Sequence, residues 1–189
     1  MTKLKRTTSF IISIIIVLNV LLYIFANYIV VFASGYDVYS ATKYAVDHAY
    51  NYNDEYRDFN VNDSGGDCAN FVSQCLVKGG NHGKLNGGLP CRGYPCGFEE
   101  VGAKNLGDCL KKKGWTSKCG KHMSPPSNIQ AGDVLIYHAG GCDSYDAHAV
   151  LITKGGSSPK ITCHSSVKVD NDYNYMSNSK PYYQWLHHS

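Results

Sequence analysis

The hydrophobic period of this chain changes midway, and that change limits the folds available to it. In the first half, apolar and aromatic residues recur at helical spacing over residues 38–52 and 68–77. The second half holds three short β-rich runs, at residues 132–139, 148–155 and 160–167, which glycine turns separate. Because helices come first and strands afterwards, the pattern predicts an α+β domain and not alternating βαβ units.

The predicted helices carry recognisable end signals. Ser40 is a candidate N-cap of the first helix, because a serine oxygen can accept a hydrogen bond from the unpaired backbone N–H groups of a helix start. The second helix ends at Gly79-Gly80, and a short third helix ends at Gly114. Between them, residues 81–100 hold many glycines and two prolines, which predicts an irregular loop.

The N-terminal segment, residues 1–33, has the pattern of a secretory signal. A short basic region precedes an apolar run over residues 10–32, and Val31-Phe32-Ala33 fits a signal peptidase site. The run is long for a signal and could span a bilayer, so an uncleaved membrane anchor is the alternative. In either case we expect residues 34–189 to lie outside the cytosol, as one domain with its own core.

The net charge of +3 comes entirely from the N-terminal segment. Lysine and arginine number 18 against 15 acidic residues, and the surplus consists of Lys3, Lys5 and Arg6. Without these three, 15 basic residues face 15 acidic ones. A formally neutral domain lacks the electrostatic footprint of a nucleic-acid-binding protein, so we expect no nucleic-acid partner.

All eight cysteines follow the N-terminal segment. Outside the cytosol, disulfides are the default state of cysteine. Cys91 and Cys96 flank a short turn and are plausible local partners, and Cys109 and Cys119 could close the end of the third helix. A zinc site is a weaker interpretation, because no two Cys-x2-Cys pairs occur at finger spacing.

One cysteine has the setting of a nucleophile. In "GGDCANFVSQCL", Cys68 begins a helix directly after Gly65, Gly66 and Asp67. A helix start can lower the pKa of a thiol, and its backbone N–H groups can hold an oxyanion. Asp67 is a natural N-cap, and the glycines allow a sharp turn and a close approach of substrate. A half-cystine at this position is the competing interpretation.

A nucleophilic thiol needs a base, and two histidines are candidates. His148 begins a β-rich run after a polar loop, and His164 lies on the next run. If the two runs pair as a hairpin, the rings could meet, with His164 orienting His148. A lone histidine on a strand is more often structural, but two on neighbouring strands favour a site.

The blocks "GGDCANFVSQCL", "IQAGDVLIYHA", "DAHAVLITK" and "ITCHSS" together resemble the putative amidase domain family, over residues 36–186. That family is grouped with the papain-like, NlpC-type cysteine peptidases and amidases. The resemblance implies a papain-like α+β fold in which N-terminal helices pack on a C-terminal antiparallel sheet. It also implies that Cys68 is the nucleophile, His148 the base and His164 the third, orienting residue.

The resemblance further implies hydrolysis of amide bonds, typically in bacterial peptidoglycan, without a cofactor or metal. Tyr56 is the candidate that would assist the oxyanion, with Tyr52 as a weaker one. We expect a secreted monomer whose partner is peptidoglycan or a peptide, and which meets a membrane only if the N-terminal segment is uncleaved. The alternative is a catalytically inactive, disulfide-stapled extracellular binding protein on the same fold.

Overall fold

The computed structural model of the protein describes residues 15–22, 35–56, 58–60, 66–80 and 102–188. The chain divides into two compact units, Met1–Gly35 and Tyr36–Ser189. In the first unit, residues 15–22 are helical and form α1. The cleavage site predicted at Val31-Phe32-Ala33 lies outside the described residues. In the part of the chain that is described, no helix has the length and apolarity needed to cross a membrane.

Three helices precede the sheet in the second unit, as the helical periodicity predicts. They are α2 (Val38–His48), α3 (Cys68–Gln74) and α4 (Ala103–Lys112). A π turn, Cys75–Gly79, extends α3 to the glycine pair at its end. The N-cap of α2 is Asp37, whose carboxylate accepts from both the backbone N–H and the hydroxyl of Ser40. The prediction of Ser40 as the cap was therefore wrong.

One antiparallel sheet follows. Its strands are β1 (Thr116–Lys121), β2 (Val134–His138), β3 (Ala147–Lys154), β4 (Lys160–Cys163), β5 (Lys168–Asp172) and β6 (Tyr182–His187). They lie in the order β1-β6-β2-β3-β4-β5, and every neighbouring pair is antiparallel. The predicted α+β class is confirmed, and β2, β3 and β4 match the three predicted runs.

The two faces of the sheet carry different side chains. The helix face, which packs against α3 and α4, is lined by aliphatic residues: Val134, Ile136, Ala149, Leu151 and Leu186. The aromatic face is lined by larger rings with some aliphatic residues: Leu135, Tyr137, Val150, Tyr183 and Trp185. Successive side chains of a strand point to opposite faces. His148 therefore lies on the aromatic face, because its neighbour Ala149 lies on the helix face.

A disulfide joins the edge strand to the loop that precedes β3. Cys119 on β1 is bonded to Cys142 in the β2–β3 loop, with a sequence separation of 23. The suggested partnership of Cys109 with Cys119 was therefore wrong, because Cys119 is already paired. The suggested pair Cys91–Cys96 lies outside the described residues.

Candidate active site

A tight turn at Gly66 leads the chain into α3. Gly66 has a φ of +96°, and a Cβ at this position would lie 3.0 Å from the Ser165 hydroxyl oxygen. That hydroxyl is close because it accepts the backbone N–H of Asp67 at 2.7 Å, while Asn60 Oδ1 accepts the same N–H at 3.2 Å. The predicted need for glycine is confirmed at Gly66. Gly65 lies outside the described residues.

Asp67 stands at the N-cap position of α3, but its carboxylate does not bond to the helix backbone. Oδ1 accepts the Phe59 backbone N–H at 3.1 Å and the Asn70 side-chain amide at 2.8 Å. Oδ2 lies 2.7 Å from Nδ1 of His164. Asp67 is only 1 % exposed, and a buried carboxylate is tolerated only when it is paired and hydrogen-bonded. Asp67 therefore ties the start of α3 to the sheet.

Both ring nitrogens of His164 face oxygen acceptors. Nδ1 lies 2.7 Å from Oδ2 of Asp67, and Nε2 lies 2.9 Å from the backbone carbonyl oxygen of His48. The contact with Asp67 is therefore a buried, hydrogen-bonded pair. The ring is stacked between Phe71 and Tyr52, at centroid distances of 3.8 and 4.0 Å. His164 thus connects the end of α2 to the start of α3.

The predicted contact of His164 with His148 was wrong. The pairing of β3 with β4 ends at Leu151 and Thr162. His164 directly follows β4, and its contacts with Phe71 and Asp67 place it on the helix face, beside α3. His148 lies on the aromatic face. The two rings are therefore on opposite faces of the sheet, and His164 is bonded to Asp67 and His48 instead.

Cys68 is the first residue of α3 and lies beside the start of β3. Cys68 shares a buried cluster with Ala149, the residue after His148. Burial raises the pKa of this thiol above its ordinary value, and the N–H groups of Ala149 and Ala69 lower it without offsetting the burial. The prediction that the helix start would lower the thiol pKa was wrong, because desolvation of the thiolate outweighs the helix-end donors.

His148 is enclosed by aromatic rings. Tyr137 stacks on it across β2 and β3, and Tyr175 meets it edge-on, each at a centroid distance of 6.3 Å. Burial lowers the pKa of His148 to about 4, and the positive charge of Lys180 acts in the same direction. Among the described residues Nε2 has no hydrogen-bond partner. The ring is therefore neutral at pH 7 and has a nitrogen lone pair available for a proton.

A second buried thiol lies near Cys68. The sulfur of Cys163 is 3.3 Å from the Tyr175 hydroxyl. Burial raises the pKa of Cys163 to about 11, and negative charge on Cys68 would raise it further. Neither Cys68 nor Cys163 is in a disulfide. The sulfur of the predicted nucleophile is therefore not consumed by a disulfide.

The two tyrosines considered for the oxyanion lie on the loop after α2. The Tyr52 ring stacks on His164, and its hydroxyl accepts the side-chain amide of Asn60 at 2.6 Å. Burial raises the pKa of Tyr52 to about 12. The backbone N–H of Tyr56 donates to the Asn53 carbonyl at 3.0 Å and closes a turn. Tyr52 thus supports the ring that holds α3, and the oxyanion role of Tyr56 stays a prediction.

Sequence reasoning did not single out two charged residues near His148. Lys180 forms an ion pair with Asp146, which lies two residues before His148. Asp146 could have been predicted from the sequence, because it lies so close to His148 along the chain. Lys180 carries no such signal, because 34 residues separate it from Asp146 and only the fold brings them together.

Cys68 and His148 remain the candidates for a nucleophile and a base. Across the described ranges, no three His, Cys, Asp or Glu side chains are placed to hold a metal ion. Cys68 and His148 are both neutral and lie beside the start of β3, the thiol among the helix-face residues and the ring on the aromatic face. A neutral thiol and a neutral imidazole suit nucleophilic attack on a carbonyl with proton transfer to the ring.

Comparison with protein families identifies the chain. Residues 35–186 match the family described as "Putative amidase domain", a range that begins before α2 and ends one residue before the end of β6. The chain belongs to this family. Membership indicates a hydrolase that acts on amide bonds. No curated protein and no solved structure matches the chain, so the papain-like, NlpC-type relationship stays a prediction.

Proposed function

We propose that this amidase-family protein is a thiol-dependent hydrolase with Cys68 as nucleophile and His148 as base. The observation that carries the proposal is the packing of α3 against β3, which places Cys68 in one buried cluster with Ala149, the residue after His148. This contact brings the cysteine to the residue next to His148. Before reaction, the Cys68 thiol carries its proton and the neutral His148 ring can accept one, as a nucleophile and its general base require.

The proposed reaction follows from these protonation states. His148 takes the thiol proton as the Cys68 sulfur attacks the amide carbonyl carbon, and the carbonyl oxygen becomes an oxyanion. Backbone N–H groups at the start of α3 stabilise that oxyanion, with Tyr56 proposed as a further donor. His148 then gives the proton to the leaving amine. Water, deprotonated by His148, releases the acyl group from Cys68.

We assign His164 a positioning role in this reaction. It is proposed to act through Asp67, which directly precedes the nucleophile, and not by contact with His148. The buried contact between Asp67 and His164 holds the first turn of α3 at a fixed height relative to the sheet. A displacement of about 1 Å at a reacting atom is enough to slow an enzyme by about two orders of magnitude.

The substrate proposed is an amide bond of bacterial peptidoglycan, and the location proposed is outside the cytosol. Support for the location comes from the N-terminal basic and apolar pattern and from the disulfide Cys119–Cys142, since disulfides persist in oxidising compartments. Support for the substrate comes from the resemblance to papain-like, NlpC-type amidases. A membrane-anchored form with the same exposed domain is the alternative.

Digestion of purified peptidoglycan, followed by mass analysis of the soluble products, tests the proposal. Wild type should release muropeptides and Cys68→Ala should release none. Cys75→Ala is the matched control, because Cys75 is a buried thiol just after the same helix and should leave the products unchanged in mass. Products from Cys68→Ala would contradict the thiol mechanism.

One observation favours a second candidate, an inactive binding protein. Cys68 is 7 % exposed, and burial raises the pKa of its thiol, which are features of a structural cysteine. In that case wild type and Cys68→Ala should co-sediment with peptidoglycan with equal affinity, and neither protein should release soluble products.

A further inference from the structure

A lysine beside the proposed base suggests how this site selects its substrate. Lys180 lies in the segment that enters β6, with its side chain 15 % exposed, and its ammonium pairs with the 71 % exposed carboxylate of Asp146. The Ala139 N–H donates to the Asp146 carbonyl at 3.0 Å, which fixes Asp146 directly before the first residue of β3, Ala147. His148 is the second residue of that strand.

The ion pair with Asp146 therefore holds the ammonium of Lys180 close to the start of β3, where His148 lies. The electrostatic effect agrees with this placement, because the charge of Lys180 opposes protonation of His148. An ammonium has three N–H donors. Within the described residues, the contact recorded for the Lys180 ammonium is with Asp146, and that carboxylate is mostly in water. The aliphatic part of the Lys180 side chain is thus largely buried, while its ammonium can bind a second anion.

The position of a base indicates which part of the substrate lies near it. His148 must reach the nitrogen of the leaving amine in order to protonate it. A group beside His148 consequently lies on the leaving-group side of the scissile bond, away from the acyl group that stays on Cys68.

We propose that Lys180 binds a free carboxylate on the leaving-group side of the scissile amide. This inference rests on the function proposed above and deepens it. The preferred substrates would be amides whose leaving amine belongs to an amino acid or short peptide with an unblocked carboxyl group. A leaving amine that carries no carboxylate would be a poor substrate.

The test compares one substrate preparation in two chemical forms. Soluble muropeptides are used either with free carboxyl groups or after conversion of those groups to carboxamides. Wild type, as the full chain exported from an oxidising host, should cleave the free form with a kcat/KM about tenfold higher, as expected for a charged hydrogen bond. Lys180→Met should lose this preference, while Lys180→Arg should keep it.

Asp146→Asn is the control that separates binding from structural support. It removes the internal partner of Lys180 but leaves the lysine in place, so the preference for free carboxyl groups should stay or increase. The inference is overturned if Lys180→Met keeps the wild-type ratio of kcat/KM between the free and the carboxamide forms, or if Asp146→Asn abolishes that ratio. Hydrolysis that depends on Cys68 would still support the proposed function.

Binding to Cys68→Ala distinguishes failure of the inference from failure of the function. This variant cannot react, so its affinity for the two forms of muropeptide reports recognition alone. The free form should bind about tenfold more tightly, and adding Lys180→Met should erase the difference. If no variant hydrolyses either form, the proposed function fails, and equal binding of the two forms to Cys68→Ala would then overturn the lysine site as well.

Discussion

The protonation of His148 makes a prediction about stability that does not depend on a substrate. Burial and Lys180 lower the pKa of His148 from 6.5 to about 4 in the folded protein. The unfolded chain therefore binds this proton more readily than the folded one between those two pH values. The contribution of neutral His148 to the free energy of unfolding is fully present above pH 6.5 and is lost as the pH falls from 6.5 to 4. At 1.36 kcal/mol per pH unit, the loss is about 3 kcal/mol.

The assay is urea unfolding of wild type and His148→Gln at several pH values from 7 to 4. Glutamine does not titrate, and it replaces a ring whose Nε2 has no hydrogen-bond partner among the described residues. Other groups with shifted pKa values, such as Asp133, titrate in both proteins and cancel in the difference. We expect the free energy of unfolding of wild type, relative to His148→Gln, to fall by about 3 kcal/mol on acidification. A difference that stays constant with pH would refute the buried, neutral imidazole.

Three further predictions concern the support of α3 and of the loop before β3. Asp67→Ala removes the buried partner of His164, so urea unfolding should show a loss of about 3 kcal/mol. Asp67→Asn should lose less stability yet still lower kcat. Gly66→Ala forces a side chain into a positive φ against a neighbouring hydroxyl, and thermal unfolding should show a cost of about 1–3 kcal/mol. Replacing Cys119 and Cys142 by serine opens a loop with a separation of 23 residues, which should cost about 3 kcal/mol in urea unfolding. If one of these variants were as stable as wild type, the contact that it removes would be contradicted.

The elements that could be predicted are those with a local signal. The helical stripe around Phe71 and the glycine pair after it located α3, since amphipathic periodicity and helix ends are read over a few residues. The same holds for β2, β3 and β4, which are runs of branched residues between turns. β1 could not be found this way, because its sequence, residues 116–121, is polar and largely exposed and it is a strand only because it pairs with β6.

The candidate site was predicted in part. Cys68 and the start of β3 come together as the motif indicated, because α3 packs against β3. The error concerned His164, since the spacing along two neighbouring strands does not say which face each ring occupies. Both nitrogens of the His164 ring are bonded to other partners, the Asp67 carboxylate and the His48 carbonyl.

The sequence by itself determined the order of helices and strands, the cysteine at a helix start and the pattern of an exported chain. These features depend on residues that are close together along the chain. The tertiary structure decided the protonation of Cys68 and His148, the pairing of Asp67 with His164 and the approach of Lys180 to the base. Each of these depends on burial or on contacts between distant residues, because desolvation and charge act through space and leave no trace in local spacing.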